Sequence, residues 1–276
     1  MRKLTLGFLN CPELGPAELV TTAVEAGFDS VGIRIAGRRV TDPYTQVIGN
    51  PGAIAEIRAR LRDGGARLSN VSAYHLYPDV TLRELVPLVD TVAELGGEMI
   101  LCSCYDPVRS RFCQTLADYA DAAARRGVRL GLEFVPFSEA KRLADAIAIV
   151  EAVDKPNFGM VIDPLHLARS GGHPEELRGL PAARLCFAQL CDAPREKPPD
   201  VDLATEARTM RLDPGTGALP IGSMLDALPA DLELECEFPT AVNRSLPPLA
   251  RARAIQASAV NYLAAYDARR NEGEPR

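Results

Sequence analysis

Eight short apolar, β-rich runs, each followed by an amphipathic stretch, alternate from one end of this 276-residue chain to the other. The runs are Leu4–Leu9, Ser30–Ile35, Ala66–Tyr74, Met99–Cys104, Val128–Phe134, Phe158–Ile162, Leu185–Leu190 and Leu232–Phe238. Between them the periodicity predicts helices over Pro16–Ala26, Ala53–Asp63, Leu82–Leu95, Arg109–Arg126, Glu139–Val153, Pro174–Leu180 and Ile221–Leu228, and a last one over Pro247–Ala268. Parallel strands need crossovers of a dozen or more residues. Eight such units in about 250 residues is the arithmetic of a closed α/β fold, a single (β/α)8 TIM barrel. An open nucleotide-binding sheet loses its support, because Leu9-Asn10-Cys11-Pro12 after the first run is neither GxGxxG nor GxxxxGK[ST]. No linker interrupts the pattern, so residues 1–268 read as one barrel domain and residues 269–276 as a polar C-terminal tail.

Composition narrows the partners. With 31 Lys+Arg against 37 Asp+Glu the formal charge is −6 and no basic stripe follows any segment, so no nucleic acid is expected. No apolar run approaches the ~20 residues of a membrane span, and the N-terminus enters an alternating segment (Leu4, Leu6, Phe8) without a signal-peptide pattern. A cytoplasmic protein with no membrane partner is the expectation. The seven scattered cysteines read as free thiols, with Cys102 and Cys104 as small core residues.

In such a barrel, chemistry gathers at the C-terminal ends of the strands, and alternation sends every second side chain toward the axis. Glu133 is the inward residue at the top of the fifth run, Asp163 ends the sixth, and Gln189 points inward on the seventh. The eighth run alternates Leu or Cys with Glu233, Glu235 and Glu237, so three carboxylates share the inner face with Glu237 uppermost. Buried carboxylates need partners, and Arg129, one layer below Glu133, is a candidate for one of the deeper two. Glu133, Asp163, Gln189 and Glu237, converging from four successive strands, would repel one another without a cation. Their oxygens suit one divalent ion, Mn²⁺ or Mg²⁺ ahead of Co²⁺ or Zn²⁺.

These residues resemble the xylose-isomerase-like sugar phosphate isomerase/epimerase superfamily of metal-dependent TIM barrels. The resemblance rests on Gly131-Leu-Glu133-Phe, Asp163-Pro-Leu-His166, Gln189-Leu-Cys-Asp192-Ala, Glu235-Cys-Glu237-Phe-Pro239 and a loop, Arg211-Leu-Asp-Pro214-Gly215-Thr-Gly217, similar to the family's RxxPGxG. It implies that Glu133, Asp163, Gln189 and Glu237 bind one divalent metal. Many of the family's sugar epimerases have His at the strand-seven position, and Gln189 is closer to the branch that includes bacterial 3-dehydroshikimate dehydratases.

A metal holding a carbonyl and a neighbouring hydroxyl stabilises the charge that develops when the adjacent C–H is deprotonated, giving an enediolate. Reprotonation at the other face epimerises, reprotonation at the next carbon isomerises, and loss of a β-hydroxyl dehydrates. The candidate catalytic groups are Glu133, Glu237 and His166. Arg211, ahead of its Pro-Gly-Thr-Gly turn, is a candidate clamp for a substrate carboxylate or phosphate, and His75 is a second candidate substrate contact. The Pro-rich stretch 194–203 is either a lid or a surface excursion. The expected function is a divalent-metal-dependent isomerase or epimerase acting through an enediolate on a small polyhydroxylated keto substrate, a keto sugar or cyclitol. The alternative is a lyase, a 3-dehydroshikimate-type dehydratase with the same metal site. An endonuclease of abasic DNA would need more His ligands and a basic groove, and a non-catalytic barrel would keep the pocket without metal dependence. Ile255, Val260, Tyr262 and Leu263 give the last helix an apolar face for packing or for a homo-oligomer.

Overall fold

A computed structural model describes residues 2–39, 45–240 and 244–272. In it eight parallel strands follow one another around a closed barrel. They are β1 (Leu4–Leu6), β2 (Ser30–Ile33), β3 (Arg67–Leu76), β4 (Met99–Cys104), β5 (Arg129–Glu133), β6 (Phe158–Ile162), β7 (Leu185–Leu190) and β8 (Leu234–Cys236). The ring closes where Thr5 of β1 lies opposite Glu235 of β8. The helices are α1 (Pro16–Ala26), α2 (Pro51–Gly64), α3 (Leu82–Glu94), α4 (Arg109–Ala124), α5 (Leu143–Val153), α6 (Pro164–Arg169), α7 (Leu203–Thr209), α8 (Ile221–Ala227) and α9 (Pro248–Glu272). The last continues past residue 268, and residues 273–276 of the polar tail lie outside the described residues.

Period-two alternation divides the apolar residues into two clusters. Ile100 and Cys102 of β4, Leu130 and Leu132 of β5, and Met160 and Ile162 of β6 join the large cluster that the helices cover. Their neighbours Met99, Leu101 and Val161 join Cys186 and Phe187 of β7 in a second, smaller one. Each fully buried Leu or Phe is worth about 1.5–3 kcal/mol of transfer free energy, so a register slip on any strand would exchange the two sets at large cost. All seven cysteines are free thiols, and Cys102 and Cys104 are buried.

The deeper glutamates of the eighth strand find partners other than Arg129. Glu233 takes hydrogen bonds from Thr5 and from Ser30 (3.2 Å) and an ion pair from Arg67 at 2.5 Å, whereas Arg129 reaches outward to the carbonyl of Ala183. Glu235 is held by Asn70 (2.5 Å) and Gln189 (3.2 Å). The expected Arg129 pairing fails because the neighbours that close the ring, β1 to β3, come from the far end of the chain.

The connection after β6 also differs from the sequence expectation. The helix there is α6, beginning at Pro164, and only a short 3-10 turn, Pro174–Leu177, occupies the predicted Pro174–Leu180 helix. Asp163 caps α6 by accepting from the amides of Leu165 (2.7 Å) and His166 (3.3 Å), and Pro164 supplies the fixed φ that suits a first helical position. Helix α5 starts at Leu143 rather than Glu139, because Ser138 forms a turn with Val135 and Ala140.

Burial acts to raise the Glu233 carboxyl, but Ser69, Thr5 and Arg67 outweigh it and hold the group below its ordinary value. A depressed acid adds stability above its unfolded pKa of about 4.3, and that stability is lost as pH falls through the lower folded value. Glu233→Gln should therefore destabilise the protein by roughly 1–3 kcal/mol at pH 7 in urea unfolding, and the difference from wild type should shrink below about pH 4.

Candidate functional site

Glu133 ends β5, Asp163 follows β6, Gln189 lies on β7 and Glu237 follows β8, so four successive strands deliver them to one end of the barrel. All four are buried. Glu133, Asp163 and His166 each present one ligand-type atom, and these lie within 4.8 Å of one another. His166 reaches the group because α6 starts at the Asp163 cap, which brings its Nε2 to 3.5 Å from Asp163 Oδ2. Gln189 donates through Nε2 to Glu235, and its Oε1 is buried with no hydrogen-bond partner among the described residues.

Arg211 enters this group from the loop after α7. Only 1% exposed, it places Nη1 2.8 Å from Asp163 Oδ2 and Nη2 3.0 Å from Glu237 Oε2, while its Nε donates to the Ala207 carbonyl at 2.6 Å. The RxxPGxG pattern thus delivers a guanidinium into the carboxylates themselves. Asp192 builds the loop that carries it. Its Oδ1 accepts from Ala193 (2.8 Å) and Leu219 (2.9 Å), and its Oδ2 from Gly215 and Gly217 (2.9 Å each). Gly215 has φ +84°, and a Cβ on Gly217 would stand 2.4 Å from Asp192 Oδ1, so both glycines are required by this wrap. Asp192 belongs to the strand-seven motif, but its role in the loop has no sequence signal short of the contact itself.

Burial dominates the electrostatics. Burial, then the charges of Glu237 and Asp163, push the Glu133 carboxyl well above the ordinary range, and burial also raises Glu237 against the pull of Arg211. Asp163 moves the other way: burial acts to raise it, but Arg211, His166 and hydrogen bonds hold it below its usual value. Burial drives His166 down to about 4, so this imidazole is neutral at pH 7. One layer deeper, burial and then Glu237 bring Glu235 up to about 8.

One cavity is lined by Glu133, Glu237, His166, Arg211 and His75 together. The ring of His75 stacks on Tyr105 at 4.4 Å and 6°. Three further lining residues, Arg34, Arg38 and Arg208, carry no sequence motif and are absent from the sequence expectation. The stretch 194–203 is tied down at its start: Arg169 of α6 donates to the carbonyls of Pro194 (2.8 Å) and Arg195 (3.1 Å) and pairs with Glu206 of α7 at 2.6 Å.

The donor set fits a hard divalent cation. Three carboxylates crowd this buried end of the barrel with an imidazole and an amide oxygen that has no partner among the described residues, and Arg211 pairs with only two of the three.

A family model described as the xylose isomerase-like TIM barrel matches residues 20–264. A 3-dehydroshikimate dehydratase of Pseudomonas aeruginosa is 28% identical over 142 residues, covering 49% of this chain and 22% of that protein. An inosose isomerase of Halalkalibacterium halodurans is 28% identical over 145 residues, covering 52% of this chain and 49% of that protein. The matches thus span less than half the length of these curated relatives, both of which are named as enzymes. Among solved structures, an IOLI protein with a binding zinc atom shares the fold, with a TM-score of 0.78 at 17% identity over 96% of this chain and 99% of that one.

Replacing Asp192 with Asn leaves one acceptor oxygen where two now serve four amides. Asp192→Asn should cost about 2–4 kcal/mol in urea unfolding. Hydrogen exchange should accelerate selectively at two of the amides of Ala193, Gly215, Gly217 and Leu219, the two that face the new NH₂.

Proposed function

The chain belongs to the xylose isomerase-like TIM barrel family, and we propose that it is a divalent-metal-dependent isomerase or epimerase acting through an enediolate on a small polyhydroxylated keto substrate, a keto sugar or cyclitol. The observation that carries this reading is the pair Glu133 and Glu237, delivered by non-adjacent strands to one cavity, with Asp163 and Gln189 buried at the same end of the barrel. Glu133, Asp163, Gln189 and Glu237 would hold the ion, which when bound supplies Lewis-acid stabilisation of charge developing on a substrate oxygen. Glu133 and Glu237 both offer a carboxyl to a substrate C–H in that cavity, so one can remove a proton and the other return it. Neutral His166 lines the same space and can exchange a proton with a substrate hydroxyl. Arg211 orients the Glu237 carboxylate through its 3.0 Å ion pair and, as a lining residue, can meet a substrate oxygen. His75, held against Tyr105, offers a flat surface for the substrate to pack on.

A second reading is a lyase of the 3-dehydroshikimate dehydratase type, supported by the 28% identity to the dehydratase. It uses the same pair of carboxyl groups: one takes the C–H proton, and the other, kept protonated by burial, gives its proton to the β-hydroxyl, which departs as water.

Metal analysis of purified protein should find one divalent ion per chain, lost in Glu133→Gln and Asp163→Asn. The metal-loaded enzyme should wash solvent deuterium into at least one of a keto-inositol, a panel of keto sugars and 3-dehydroshikimate. Glu237→Gln should slow that exchange by about 10²–10⁴-fold. A product absorbing in the ultraviolet would favour the lyase, and exchange that persists after metal removal would overturn both readings.

A further inference from the structure

The cavity carries more positive charge at its outer end than the site chemistry uses. Arg38, in the loop after β2, is exposed, and Arg208, near the end of α7, is half-buried, whereas Glu133 and Glu237 are buried at the inner end of the same cavity. Neither outer guanidinium forms an ion pair with any described residue. Their neighbours differ in this respect: Arg39 pairs with Asp79 at 2.6 Å and stacks over Tyr77, and Arg34 donates to the Ser72 carbonyl and stacks over Phe8. Arg208 lies over the Phe137 ring at 5.9 Å. Asp202, the acid at the start of α7, spends its carboxylate on Thr205.

Two guanidiniums that face one cavity with no ion pair among the described residues repel each other. Burial, and then Arg38 itself, lower the Arg208 pKa. Tyr105, which lines the cavity beside them, senses both positive charges. Among the described residues the carboxylate whose charge reaches Arg208 is Asp202, and it forms no ion pair with it.

We propose that Arg38 and Arg208 form an anion subsite that takes a carboxylate or phosphate group of the substrate, at the end remote from Glu133 and Glu237. Guanidinium forks match both the planar carboxylate and the phosphate, and a half-buried guanidinium such as Arg208 binds an anion more strongly than a fully exposed one. The substrate class is therefore a polyhydroxylated keto compound bearing an anionic group, with its carbonyl at the carboxylate layer and its charge at the mouth. This deepens the isomerase or lyase reading and rests on it for the placement of the carbonyl.

Isothermal titration of the metal-loaded protein tests it with four probes: 3-dehydroshikimate, fructose 6-phosphate, inorganic phosphate and neutral keto-inositol. Wild type should bind at least one anionic probe tenfold or more tightly than keto-inositol. Arg38→Ala/Arg208→Ala should remove that advantage while changing keto-inositol binding less than twofold, and the Lys pair should restore part of it. The carboxylate and phosphate probes report which anion the subsite takes. No anion preference in wild type, or equal weakening of charged and neutral probes in the Ala pair with the thermal melt unchanged, would overturn the subsite. Loss of deuterium exchange with the anion preference intact would instead remove the enolisation reading and leave the subsite standing.

Discussion

Three carboxylates in a buried layer at one end of the barrel are the constraint on which the rest of this molecule turns. Glu133, Asp163 and Glu237 cannot all be charged and out of water without positive charge among them. Arg211 pairs with Asp163 and Glu237, and the charge of Arg34 also acts on Glu237. Glu133 stays raised, and an amide oxygen on Gln189 has no partner among the described residues. That residue of unmet electrostatic demand is the physical ground for proposing a divalent ion in this layer.

The loop that delivers Arg211 shows how such a layer is assembled. Asp192 receives four amides at once, the two glycines allow the chain to approach its carboxylate closely, and α7 supplies the Ala207 carbonyl that fixes the guanidinium. Helix α7 is in turn anchored to α6 through Arg169 and Glu206. Since α6 begins at the Asp163 cap, the same short helix that presents His166 also steadies the element leading to Arg211. Site geometry and loop stability are therefore one network.

The cavity has buried acids at one end and, toward the surface, arginines that form no ion pair with the described residues. A ligand with a keto group at one end and an anion at the other would match both ends. Neutral polyols would leave the outer charges unsatisfied, which gives the cavity a physical means of discriminating between substrate classes.

Much of this was legible along the chain, and the reason is local geometry. A strand's period of two names its inward residues without knowledge of its neighbours, so Glu133, Asp163, Gln189 and Glu237 could be assigned to the inner face, and eight crossovers long enough for parallel strands, with no phosphate loop after the first, point to a closed ring. The partners of Glu233, the charge carried by Arg211 into the acid layer, the hold of Asp192 on its loop and the meeting of Arg38 with Arg208 could not be placed that way. Each joins segments far apart in the chain, and their distance is set by how the barrel closes and by where α6 and α7 lean, which no single segment encodes.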